Sequence, residues 1–381
     1  MTRQTVAVVL LAAVSLIPAS AGTAEGDRML ESGRYREAVS LYRAESARNG
    51  LPASELNNFG VALFRTGQLR EAEAMYRRAL ESDSAADPAP ILNNLAAVER
   101  ALGHYSTAEE IYSEVLQLKR RTEGPDSFAV AMTESNLAEL YRTTGRYPQA
   151  ERLARRSAAI FERGGSDQET HLAGSLQILG AILRAKGDLI DALAVLQRSL
   201  QIRESSLQTE DPRIADGLAA VSEIYSQQHN YPKAKRALLR ALSIWQKTSG
   251  DAQPEVALAY NNLAQIDKMT GHLADADPLY RKALQIWGQT LGEQHPDYAV
   301  GLGNLADLYR AEGRLYASQK LYERSLAVLA ERLGSEHPYV TMTRQALSRV
   351  YAAEGQTVLA QRVLLRQADT PQQAGKSGFL P

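Results

Sequence analysis

The strongest constraint on this chain is a period. Phe59, Leu95, Leu137, Leu179, Val221, Leu263, Leu305 and Leu347 form one column, 36 residues apart at the first step and 42 at each of the next six. A chain of 381 residues would ordinarily suggest two or three unrelated domains, but a chain that repeats itself folds as an array. Each unit of such an array buries its apolar face against its neighbours.

Two further columns say what the unit is. The residue after each anchor is small (Gly60, Ala96, Ala138, Gly180, Ser222, Ala264, Ala306, Ser348), and so is the residue thirteen places past it (Ala72 through Ala360, with Ser318). Ala38 extends the second column back to one more, N-terminal repeat. Between the columns stands a glycine in every repeat except one, where His229 replaces it. Apolar residues recur at three and four on both sides, as in Leu137, Leu140 and Tyr141 before the glycine and Ala276, Tyr280, Ala283 and Leu284 after it. This is a helical hairpin: the glycine reverses the chain, and the small residues let the two backbones approach. Pro148 and Pro232 fall in the first turn of their second helices, where a missing N–H costs little, whereas Pro278 lies a turn further in.

These columns resemble the tetratricopeptide repeat. The resemblance rests on Asn304-Leu305-Ala306 in a first helix, Gly145-Arg146-Tyr147 at a turn, and Ala276 through Leu284 in a second helix. The 42-residue period, with loops such as Gly292-Glu293-Gln294-His295-Pro296, is similar to the kinesin light chain subtype. The resemblance covers roughly residues 24 to 367. It implies an all-α, right-handed superhelix of about nine hairpins whose first helices line a concave groove. The departures are His229 at a turn, no proline at the usual end of the second helix, and Ile178 and Ala220 where the fifth and sixth repeats would carry the central asparagine.

Ahead of the array lies a different kind of sequence. Arg3 precedes an apolar run from Thr5 to Ile17, Pro18 breaks it, and Ala19-Ser20-Ala21 follows. This is the layout of a secretory signal peptide cut after Ala21, and the run is short for a span of about 20 residues. The alternative is an uncleaved anchor. The sequence therefore predicts a signal peptide over 1–21, a solenoid over 22–367, and a disordered polar tail over 368–381, in an exported protein, periplasmic or secreted. No membrane span is expected after signal cleavage.

Composition removes several function classes. There is no cysteine, which excludes disulfide scaffolds, Cys-ligated metals and thiol nucleophiles. A net charge of −1 gives no electrostatic case for nucleic acid. No nucleotide-binding, metalloprotease or hydrolase motif is present, so no enzyme, cofactor or metal site is expected. His295 and His337, one period apart in the same inter-repeat loop, read as polar contacts or helix caps. Phe161, Trp245 and Trp287 fall on one repeat register and read as core.

The residues that suggest function are polar and lie on the first helices. One place before the anchor stand Asn58, Asn94, Asn136, Asn262 and Asn304; the preceding place adds Asn57, Asn93 and Asn261. Five places after the anchor stand Arg100, Arg142, Arg184, Lys268 and Arg310. An amide both donates and accepts, so it can hold an extended peptide backbone without reading its sequence. A guanidinium adds charge-assisted bonds to a carboxylate. The competing reading is structural: each asparagine bonds a neighbouring helix, and Glu139–Arg142 and Asp307–Arg310 pair within one helix turn. The expected function is a non-catalytic scaffold holding a peptide or protein segment in its groove. The alternative is a structural, assembly or regulatory subunit of an envelope complex, acting through the convex face or the terminal repeats.

Overall fold

A computed structural model describes residues 24–31, 34–82, 87–335 and 337–365. The segments expected to be a signal peptide (1–21) and a polar tail (368–381) lie outside these residues. Every regular element described is helical, and the described residues divide into two compact units, 24–230 and 231–365.

The first unit is a run of hairpins. Its helices are α1 (Ala24–Glu31), α2 (Tyr35–Asn49), α3 (Ala53–Arg65), α4 (Leu69–Glu81), α5 (Ala89–Ala101) and α6 (Tyr105–Thr122). They continue as α7 (Phe128–Thr143), α8 (Tyr147–Arg163), α9 (Glu169–Lys186), α10 (Leu189–Ser206) and α11 (Pro212–Gln227). The second unit holds α12 (Tyr231–Ser249), α13 (Pro254–Met269), α14 (Leu273–Thr290), α15 (Pro296–Ala311), α16 (Leu315–Leu333), α17 (Pro338–Ala353) and α18 (Thr357–Leu365). Within each unit a second helix packs on its own first helix and on the first helix that follows. Successive first helices of one unit also touch directly, as α5 does α7 and α13 does α15, so each unit has its own first-helix layer.

The turn glycines behave as their position requires. Gly67, Gly103, Gly145, Gly187, Gly271, Gly313 and Gly355 all have φ between 76° and 90°. His229 takes the same turn at φ 59°, the one non-glycine residue in this region among those described. Asn230 N–H then bonds Tyr225 C=O at 2.8 Å, just as Arg146 N–H bonds Tyr141 C=O at 2.8 Å.

The small columns sit where helices meet. Ala38, Ala72, Ala108, Ala150, Ala192, Ala234 and Ala276 are buried, as is Ser318. A side-chain carbon on Gly60 would come within 2.6 Å of the Tyr76 ring, and one on Gly180 within 2.5 Å of Leu196. Serine substitutes for alanine in these columns because its hydroxyl finds a carbonyl on the facing helix. Ser318 Oγ donates to Ala306 C=O at 2.7 Å, and Ser348 Oγ to Ala360 C=O at 2.8 Å. Phe161, Trp245 and Trp287 are core residues, and Trp287 Nε1 donates to Pro254 C=O at 3.2 Å. His295 and His337 cap α15 and α17: each Nδ1 accepts a backbone N–H two residues on, at 3.2 Å.

Candidate functional site

The first-helix layer gathers the polar columns, and it joins them to partners one repeat away. The amides form two copies of a three-asparagine unit. In the first, Asn94 Nδ2 on α5 donates to Asn57 Oδ1 on α3 at 2.8 Å, and Asn57 Nδ2 donates to Asn58 Oδ1 at 3.1 Å. In the second, Asn304 Nδ2 on α15 donates to Asn261 Oδ1 on α13 at 2.9 Å, and Asn261 Nδ2 donates to Asn262 Oδ1 at 3.1 Å. Asn58 Nδ2 also reaches Asp27 Oδ1 on α1 at 2.9 Å. Asn136 is buried on α7. Asn94 and Asn304 therefore bond the neighbouring first helix, which was the structural reading of this column. Asn57, Asn58, Asn94 and Asn136 are at most 1% exposed, whereas Asn262 and Asn304 are half-buried.

The basic column makes a ladder with its own rule. Arg100 Nη1 on α5 lies 3.7 Å from Glu139 Oε1 on α7. Arg184 Nη1 on α9 lies 3.3 Å from Glu223 Oε2 on α11. Lys268 Nζ on α13 contacts Asp307 Oδ2 on α15. The three cations are 84 residues apart, and so are the three carboxylates: every second repeat supplies an acid two places past its anchor. Two rungs hold a further cation. Arg142 meets Glu139 through Nε at 2.7 Å and Nη2 at 2.8 Å, and Arg310 Nη2 meets Asp307 Oδ1 at 2.7 Å. In each of those rungs one carboxylate faces two cations.

Electrostatics differ along the ladder. Burial alone would raise the Asp307 carboxyl, but Lys268 and Arg310 hold it below its ordinary value. Burial wins at Glu223, raising it despite Arg184 and Arg142. Arg100 is the most buried cation of the ladder, 5% exposed, and Glu139 beside it is 1% exposed.

The cross-repeat acids escaped the sequence reading. Glu139 and Asp307 were visible only as same-helix partners of Arg142 and Arg310, whereas their contacts to Arg100 and Lys268 need the stacking register. The two-repeat spacing of the acids was the available signal. Among the described residues, no cluster of three or more potential ligands could hold a metal, and no helix is long and apolar enough to cross a membrane.

Tetratricopeptide repeat profiles match residues 53–82, 87–163, 172–247, 219–287, 255–315 and 297–366. The chain belongs to the tetratricopeptide repeat family. Its 42-residue units resemble those of kinesin light chains in length. No curated protein shows significant similarity to the chain. Among solved structures, BtubC (BKLC) from P. vanneervenii is 23% identical, with a TM-score of 0.50, over 62% of this chain and 98% of that one. A putative kinesin light chain with nearly identical repeats, from Podosopora anserina, is 25% identical over 52% of this chain and 93% of that one, with a TM-score of 0.44. The signal transduction ATPase with a tetratricopeptide repeat sensor from Pyrococcus horikoshii is 16% identical, with a TM-score of 0.58, over 88% of this chain and 52% of that one. The fold suggests a protein-interaction scaffold, and proteins of this repeat family are generally non-catalytic.

Proposed function

We propose that this tetratricopeptide protein is an exported scaffold that holds a peptide or protein segment along the polar face of its first helices. The observation that supports this reading is the basic ladder, in which Glu139 and Asp307 each face two cations. Each of these rungs carries a net positive charge, which favours a segment rich in acidic side chains or ending in a carboxylate. Of the asparagine column, the half-buried Asn262 and Asn304 offer backbone-type donors and acceptors. Export is proposed on the leader sequence around Arg3 and Ala19-Ser20-Ala21.

The test is selection from a randomised peptide library on the immobilised protein. Recovered peptides should be enriched in Asp and Glu. The triple variant Arg142→Glu/Lys268→Glu/Arg310→Glu should lose that enrichment while keeping its helical circular dichroism. Equal enrichment on both proteins would sink the ladder as a binding surface. Mass spectrometry of the native protein should find a mature terminus near Gly22, and an intact Met1 in a cytosolic fraction would refute export.

A further inference from the structure

The three rungs of the ladder are not alike, and the middle one is short of a charge. On α7, Arg142 stands three residues past Glu139, and on α15 Arg310 stands three past Asp307, so each acid meets a cation of its own helix as well as one from the repeat before. On α11 the residue three past Glu223 is Ser226. Among the described residues Glu223 therefore has a single ion pair, to Arg184 Nη1 of α9, and that cation has no other. The pair lies 3.3 Å apart, at the long end of hydrogen-bonding distance, with the two side chains 16% and 14% exposed. The charges acting on the Glu223 carboxyl are Arg184 and, second, Arg142 of α7; α11 itself and α10, which packs on it, add none. Desolvation works against the charged form, and one main cation offsets it only in part. The Glu223 carboxyl is accordingly raised, whereas that of Asp307, between two cations, is lowered.

We infer that Glu223 is a proton-operated gate on the groove: ionised, it occupies Arg184, and neutral, it releases that guanidinium to an acidic group of the bound segment. The inference deepens the groove reading and rests on it. Its structural basis is the missing second cation at Ser226, which leaves one acid and one cation as each other's only ionic partner in a half-buried site. A proton taken up by Glu223 leaves the Arg184 charge uncompensated on a face that favours anions already. Protonation and binding then reinforce each other. The segment binds more tightly as pH falls through the Glu223 value, and the bound segment raises that value further. The Glu139 and Asp307 rungs, each with two cations, have no such partner to set free on losing one charge.

The test uses the full chain and a library-selected peptide whose acids are aspartates, which stay ionised at about pH 5. Histidines titrate over the same interval, so variants are compared at one pH. Glu223→Gln should bind the peptide about fivefold more tightly than the wild type at about pH 7.5, the size of one partly exposed ion pair, and equally at about pH 5. Ser226→Arg supplies the second cation that Glu139 and Asp307 have, and should narrow the difference between the two pH values. Without any peptide, carboxyl-carbon NMR of Glu223 should show a midpoint above that of an ordinary glutamate, about 4.3, and the peptide should move it higher. That titration keeps the inference testable if Glu223→Gln folds poorly. An ordinary midpoint, a midpoint the peptide leaves in place, or equal affinities of wild type and Glu223→Gln at both pH values would overturn the gate and leave the groove reading standing. Failure of acidic peptides to bind at either pH would end the groove reading and the gate with it.

Discussion

Glu139 lies almost wholly buried between two guanidinium groups, from Arg100 one repeat earlier and Arg142 on its own helix. Removing the carboxylate leaves Arg100 buried with no counter-charge, so Glu139→Gln should cost roughly 3 kcal/mol, read by denaturant unfolding. Asp307→Asn should cost less, about 1–2 kcal/mol, because Lys268 is 10% exposed but Asp307 and Arg310 are 32% and 42% exposed, so water can partly take over. Equal costs would contradict the depth assigned to the first rung. His229 poses the opposite case. A left-handed conformation costs an L-residue about 1–2 kcal/mol, and glycine gives back part of that in the unfolded chain. His229→Gly should therefore stabilise by about 0.5–1 kcal/mol in the same measurement. A loss of stability would show that the imidazole does more there than occupy a turn. The sequence marked His229 as the odd member of its column, but not that it would hold a glycine's backbone angle.

At the level of helices, packing followed directly from the columns. Ala306 is fully buried, and its carbonyl receives the Ser318 hydroxyl across the hairpin. Ala306→Leu should overpack that contact and destabilise by about 1–3 kcal/mol, and an unchanged melting temperature would contradict the helix pairing. The hairpins were legible because small residues, glycine turns and apolar spacing each report the same geometry. Contacts between helices of different repeats were less legible. His171 on α9 packs edge-on against Phe128 at 4.8 Å and lies 5.5 Å from Phe161 on α8. Burial, with Arg213 adding to it, lowers its pKa below the ordinary histidine value. The unfolded chain thus takes up the proton first, so His171 contributes stability above about pH 6.5 that is lost as pH falls through its lower folded value. His171→Phe should flatten that limb of a stability–pH curve below about pH 6.5. An unaltered slope would remove His171 as its source.

On the scale of the molecule, the 42-residue period gave the architecture, whereas the polar ladder follows a period twice as long. Arg100, Arg184 and Lys268 each find a carboxylate one repeat on, and Arg142 and Arg310 add cations to the first and third rungs. The basic residues could be found in the sequence because they recur on one helix position. Their partners could not, because a carboxylate across a helix–helix gap has no fixed separation along the chain until the stacking register is known. The asparagines show the same limit: Asn94 and Asn304 were found, but their acceptors Asn57 and Asn261 became evident only once α3 met α5 and α13 met α15. The central claim is that partners engage this first-helix layer. Hydrogen–deuterium exchange with and without a library-selected acidic peptide tests it most directly, since binding slows local opening where contacts form. Added protection should fall on first helices, chiefly α5, α7, α13 and α15, and fade as salt is raised. Protection confined to second helices, or to α18, would contradict it.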